Sequence, residues 1–134
     1  MFKKALISVC LLSASALALA DAYPSRPITL MVGFPPGGGA DAVARIVSEK
    51  LGRVLNQAVL VDNRPGAGTT IASDLVARAP ADGYTLLLGS ANLYGTDQIL
   101  YKSARYDGAR SFTPIMRWSD SPMLLAVKKD FPEK

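Results

Sequence analysis

Residues Ile28 to Leu55 constrain the fold more than any other stretch of the chain. "ITLMVGF", Ile28 to Phe34, is a short run of β-branched and large apolar residues, the pattern of a buried strand. It breaks at Pro35 and Pro36, crosses Gly37, Gly38 and Gly39, and gives way from Asp41 to an apolar pattern of helical period. Val43, Ile46, Val47, Leu51 and Val54 would form one continuous apolar face on a helix over 41–55. The same sequence of signals then recurs. A strand is expected over 58–61, followed by the glycine-rich "DNRPGAGTT". A helix over 70–79 would carry Ile71, Leu75 and Val76 inward and stop at Pro80. Asp82-Gly83 makes a turn, and the three leucines of a strand over 84–88 suggest burial on both faces. Strand, helix, strand, helix, strand predicts an α/β fold, an open parallel sheet with helices packed on it. Beyond Gly89 the signals soften to a short helix over 97–101, a strand around 115–118 and a last strand over 123–127.

The first twenty residues stand apart. A basic start with Lys3 and Lys4, an apolar stretch over 5–20 and Ala18-Leu19-Ala20 at its end read as a cleavable signal peptide, with a second cut available after Ala22. The stretch is short for a membrane span and a proline-containing strand follows it. Removing the leader takes 15 basic residues to 13 against 11 acidic ones, so the formal charge falls from +4 to +2. With the remaining charges scattered, there is no basic stripe for nucleic acid. The chain has no histidine, and its one cysteine, Cys10, lies in the leader. The remainder therefore offers no disulfide, thiol nucleophile, imidazole base or usual transition-metal ligand set. No conventional catalytic constellation can be assembled, and no cofactor is expected.

Both glycine-rich segments, "FPPGGGAD" and "NRPGAGTT", connect a strand to a helix. In a parallel sheet, ligands bind beyond the carboxyl ends of the strands. Glycine lets a ligand approach the main chain, and exposed N–H groups at a helix start favour an anion. With hydroxyls at Thr69 and Thr70, two such loops would make a pocket suited to a carboxylate. Ordinary roles compete with this at each position. Glycines serve chain reversal alone. Asp41 would compensate the helix dipole and would repel an anion in direct contact, so a ligand role would run through water or a loop N–H. Arg45 falls on the solvated face, Arg64 could attract anions or simply be solvated, and Ser90 and Asn92 could form a polar rim or an ordinary turn. The rival reading is a dinucleotide site. "GGGADA", residues 37–42, fits a loose G-x-G-x-x-A, with Asp62 placed for a ribose. Asp41 beside a pyrophosphate, the two prolines and the export signal count against it. No G-x-S-x-G nucleophile motif is present.

Four segments appear in a telling order: "YPSRPITLMVGFPPGGGADAVAR", "VDNRPGAGTTIASD", "PADGYTLLLGS" and "YDGARSFTPI". Together they resemble the Bug family, the extracytoplasmic solute receptors of tripartite tricarboxylate transporters, from Tyr23 to about Val127. The resemblance implies a periplasmic-binding-protein-like open mixed sheet with flanking helices, of which this chain holds the first of two lobes. It implies a non-enzymatic periplasmic receptor for a small carboxylate of di- or tricarboxylate type, monomeric at full length and serving membrane permease subunits. Matched by position, the binding residues it implies are Phe34, Pro36, Gly38 and Asp41 in the first loop. Gly66, Ala67, Gly68 and Thr69 follow in the second, and Ser90 and Asn92 after the third strand. Two positions depart from the family pattern. Thr69 stands where another glycine is usual, and Ser111 replaces an acid before Phe-Thr-Pro. The expected organisation is a signal peptide over 1–20, the N-terminal lobe over 21–122 and the start of a crossover to a second lobe over 123–134. Such a truncated receptor is expected to expose apolar surface, to be marginally stable or self-associate, and to bind carboxylate weakly or not at all. The alternative is a remnant or a repurposed half-receptor.

Overall fold

The computed structural model describes residues 23–120 and 125–130. Its elements are β1 (Ile28–Val32), α1 (Gly39–Leu55), β2 (Val59–Asn63), α2 (Thr70–Ala77), β3 (Thr85–Leu88) and α3 (Thr96–Leu100). Short 3-10 turns at Ala67–Thr69 and Ala91–Tyr94 follow β2 and β3. The strands form one parallel sheet in the order β2-β1-β3, with Leu30 opposite Val61 on one side and Leu86 on the other. β1 is therefore the central strand, and its β-branched and large apolar residues suit that place. Ile28 and Val32 are fully buried and Leu30 nearly so. Leu30, Val32, Ala44 and Leu88 make the core, with Phe34, Val61 and Trp118 packed against it.

The helices meet the sheet through faces other than the ones expected. On α1, Ile46 is 56% exposed and Val54 82%, while Asp41, Ala44 and Ser48 are buried. On α2, Ile71 and Leu75 are about half exposed, and Thr70, Ala72 and Ser73 face inward. Small side chains let each helix lie close to the strands, so the large apolar ones are turned away. β3 is less buried than its leucines suggested: only Leu88 is fully covered, because among the described residues β3 pairs on one edge alone. No strand forms around 115–118, where Ile115 and Met116 stand exposed. Residues 125–128 are irregular, and the rest of the expected last strand lies outside the described residues, as does the whole signal peptide. Among the described residues no helix is long and apolar enough to cross a membrane.

At the amino ends of the strands, a polar clasp fixes the approach to β1. Tyr23 donates its hydroxyl to the carbonyl of Gly83 at 2.8 Å, and the Ser25 N–H donates to the Tyr84 hydroxyl at 2.8 Å. Arg26 lies over the Tyr84 ring, 4.0 Å from its centroid, and pairs with Asp82. This joins the segments leading into β1 and β3 and leaves the opposite, carboxyl ends of both strands to the loops.

Candidate functional site

The site begins where β1 ends. Gly33 follows Val32, and a Cβ there would lie 2.6 Å from the Cβ of Thr69. Only glycine at 33 lets the second loop rest directly against the first. The chain then passes Phe34, Pro35 and Pro36 to Gly37, whose φ of 84° belongs to the left-handed region. At Gly37 and Gly39 an added Cβ would meet nothing within 4 Å. This is open space in front of α1, whose capping residue, Gly38, supplies no side-chain hydrogen bond. The main-chain N–H groups of that first turn and the positive end of the helix dipole face it, an arrangement that favours an anion.

Asp41 shapes this loop from within. Its buried carboxylate accepts hydrogen bonds from Arg45 Nε at 2.9 Å, from the Gly37 N–H at 3.0 Å and from Asn63 Nδ2 at 3.1 Å. The Arg45 guanidinium and the Gly37 N–H are the main reasons its pKa falls from 3.8 to about 2. Asn63 also donates to the carbonyl of Phe34 at 3.0 Å, so the end of β2 is tied to the first loop at two points. Asp41 thus spends its oxygens on the protein. Arg64 is also engaged: its Nε pairs with Asp62 at 3.0 Å and its N–H donates to the carbonyl of Val32.

The second loop has a different construction. Gly66, Ala67, Gly68 and Thr69 have φ of 135°, 45°, 63° and 87°, a run of four positive values. Outside glycine this conformation costs about 1–2 kcal/mol per residue, and a β-branched residue such as Thr69 seldom adopts it. Backbone held in such regions tends to be functional and needs surrounding structure to keep it there. Here Ile71 packs where a Cβ on Gly66 would be, and the Tyr101 ring where one on Gly68 would be, at 2.5 and 2.7 Å. Ser73 Oγ donates to the carbonyl of Thr69 at 3.1 Å.

Between the loops lies an open depression of about 160 Å³, lined by Gly33, Phe34, Pro35, Pro65, Gly66, Gly68, Thr69 and Asn92. Of the residues matched from sequence, Phe34, Gly66, Gly68, Thr69 and Asn92 line it, while Pro36, Gly38, Asp41, Ala67 and Ser90 do not. The Ser90 hydroxyl oxygen is buried without a hydrogen-bond partner. Gly33, Pro35 and Pro65 were missed, although a glycine inside a strand pattern is itself a sign of close backbone approach. Asn63 was also missed, for want of any local pattern. Among the described residues no lysine or arginine lines the depression, so an anion there would be held by main-chain dipoles and the Asn92 amide. Enclosed small-molecule sites measure about 300–1,000 Å³, so this depression is smaller than such a site and open to solvent. Among the described residues no cluster of acidic, histidine or cysteine side chains could hold a metal.

A loop-built hollow at the carboxyl edge of a parallel sheet defines the class, a ligand-binding α/β domain. Residues 43–134 match the family model of the tripartite tricarboxylate transporter family receptor, TctC, and the chain belongs to this family of receptors, which are not enzymes. It is 48% identical over 110 residues to the UPF0065 protein of the tcbD-tcbE intergenic region of Pseudomonas sp. (strain P51), covering 82% of this chain and 32% of that one. The solved structure of the periplasmic binding protein BugD superposes with a TM-score of 0.65 at 44% identity, over 69% of this chain and 31% of BugD. MatC from Rhodopseudomonas palustris with bound malate gives 0.64 at 36% identity, over 69% and 31%. The chain thus spans about a third of the length of the curated relatives it matches. Its sheet and helices are part of a periplasmic binding protein fold, and the resemblance read from the four segments to the Bug family holds.

Proposed function

We propose that the protein is the extracytoplasmic receptor of a tripartite transporter, holding a small di- or tricarboxylate and passing it unchanged to membrane permease subunits. The observation that carries this reading is the uncapped, glycine-walled start of α1 together with the left-handed loop at 66–69, which rests on Gly33 of the first loop through Thr69. One carboxylate sits against main-chain N–H groups there, with Phe34, Gly66, Gly68, Thr69 and Asn92 around it and Pro36, Gly38, Ala67 and Ser90 at its margins. Asp41 acts at one remove, by fixing the Gly37 N–H. The malate bound to MatC supports the ligand class. The leader at 1–20 supports export to the periplasm.

Titration calorimetry of the full natural protein against malate, citrate and a monocarboxylate tests the reading. Saturable heat is expected with a di- or tricarboxylate and much less with the monocarboxylate. No heat with any of them at millimolar concentration would remove the proposal.

A further inference from the structure

The strained run at 66–69 is held from beneath by groups that do not line the depression. Ser73 on α2 is 1% exposed and donates to the Thr69 carbonyl. Tyr106, itself buried, donates its hydroxyl proton to Asp97 Oδ2 at 2.9 Å. Asp97, 1% exposed, lies in the first turn of α3, and Tyr101, just past the end of that helix, sets its ring on Gly68. Two grips thus meet on the loop: a hydrogen bond at Thr69 from α2, and a ring at Gly68 from a helix pinned by the buried Asp97–Tyr106 pair.

Alanine at 73 would let α2 lie as close to the sheet as serine does, and α3 is only five residues long. The arrangement has a purpose if the left-handed run must already be in place when a ligand arrives. We infer that Ser73, Asp97 and Tyr106 are positioning residues that hold the loop at 66–69 in its left-handed form and so pre-organise the carboxylate site. The inference rests on the proposed function for the ligand and on the hydrogen-bond geometry for the device. Pre-organisation raises affinity by removing the ordering cost from the binding step.

The experiment uses the full natural protein and two variants, Ser73→Ala and Tyr106→Phe, with malate as probe. Alanine fits the space of serine, and phenylalanine keeps the ring that packs edge-on against Phe112. In the free wild type, the backbone chemical shifts and amide coupling of Thr69 should report a positive φ with and without malate. In both variants they should move towards ordinary values when free and return at saturating malate, with affinity lowered about tenfold, the loss of one good hydrogen bond. Variants that melt earlier but keep the wild-type Thr69 signature and affinity would overturn the inference, since the groups would then only stabilise the fold. If Tyr106→Phe fails to fold, the Ser73→Ala result decides alone. A wild type that binds no carboxylate would fail the functional reading instead, and the Thr69 signature of the free variants would still decide whether the device exists.

Discussion

At Gly37 and Gly39 a methyl group would meet nothing within 4 Å, whereas at Gly66 and Gly68 it would run into Ile71 and Tyr101. The two loops read alike as sequence, and each joins a strand to a helix. In the first, glycine keeps side chains away from the start of a long helix. In the second, glycine permits a left-handed backbone that the protein's own side chains then cover. A glycine-rich loop therefore says that the main chain is approached closely, but not by what. The first loop is fixed at its base by charge, through Asp41, and the second by packing.

Substitutions that treat the loops alike should break them unequally. The largest effect is expected for Gly33→Ala, where the new methyl meets both Cβ and Cα of Thr69. Overpacking of this kind costs about 1–3 kcal/mol, and chemical denaturation should show it as a lower midpoint with an unchanged slope. Next comes Asn63→Ala, which cuts both ties between β2 and the first loop and leaves the Phe34 carbonyl without its donor. A loss of about 1–2 kcal/mol is expected, together with weaker carboxylate binding.

Acid should separate the loops further. The folded-state pKa of Asp41 is depressed to about 2 from an ordinary 3.8. Its contribution is therefore fully present above pH about 4 and is lost as the pH falls through about 2. Melting temperatures followed through this window should drop less steeply in Asp41→Asn than in the wild type. An identical slope would mean that Asp41 does not anchor the loop. Gly39→Ala should perturb the fold least. It adds a methyl in open space at the first residue of α1 and should stabilise by at most about 1 kcal/mol. If the carboxylate binds as proposed, its affinity should nevertheless fall, because the methyl would stand in the ligand's path. Unchanged affinity would move the ligand away from the helix start.

Much of the architecture was legible because strand runs and helix periods alternate so regularly. The order of elements from Ile28 to Leu100 follows that pattern, with boundaries shifted by a residue or two. What the pattern could not supply was the partner of each face. Val43, Ile46 and Val54 lie on one stripe of α1, but a stripe records where the large apolar residues are, not what they touch. Ala44 and Ser48 carried no apolar signal, and smallness is what placed them against the sheet. The strand expected around 115–118 failed for a related reason: a strand needs a neighbour, and none is present among the described residues. In the site, glycine and proline marked the loops correctly. Asn63 and Ser73 were invisible because their partners, Phe34 and Thr69, are fixed by the fold or by helix geometry rather than by any motif.

Gly33 and Thr69 occupy what is in effect one volume, and this orders the changes the chain can accept. Glycine at 69 would suit a φ of 87° and would remove the Cβ and Cγ2 that a methyl at 33 meets, leaving the Cα at 3.0 Å. Alanine at 33 is therefore more harmful while threonine stands at 69 than once it has gone. The same pair of substitutions costs more in one order than in the other. A lineage that carries a side chain at 69 has thereby fixed glycine at 33, a residue with no contact of its own to make.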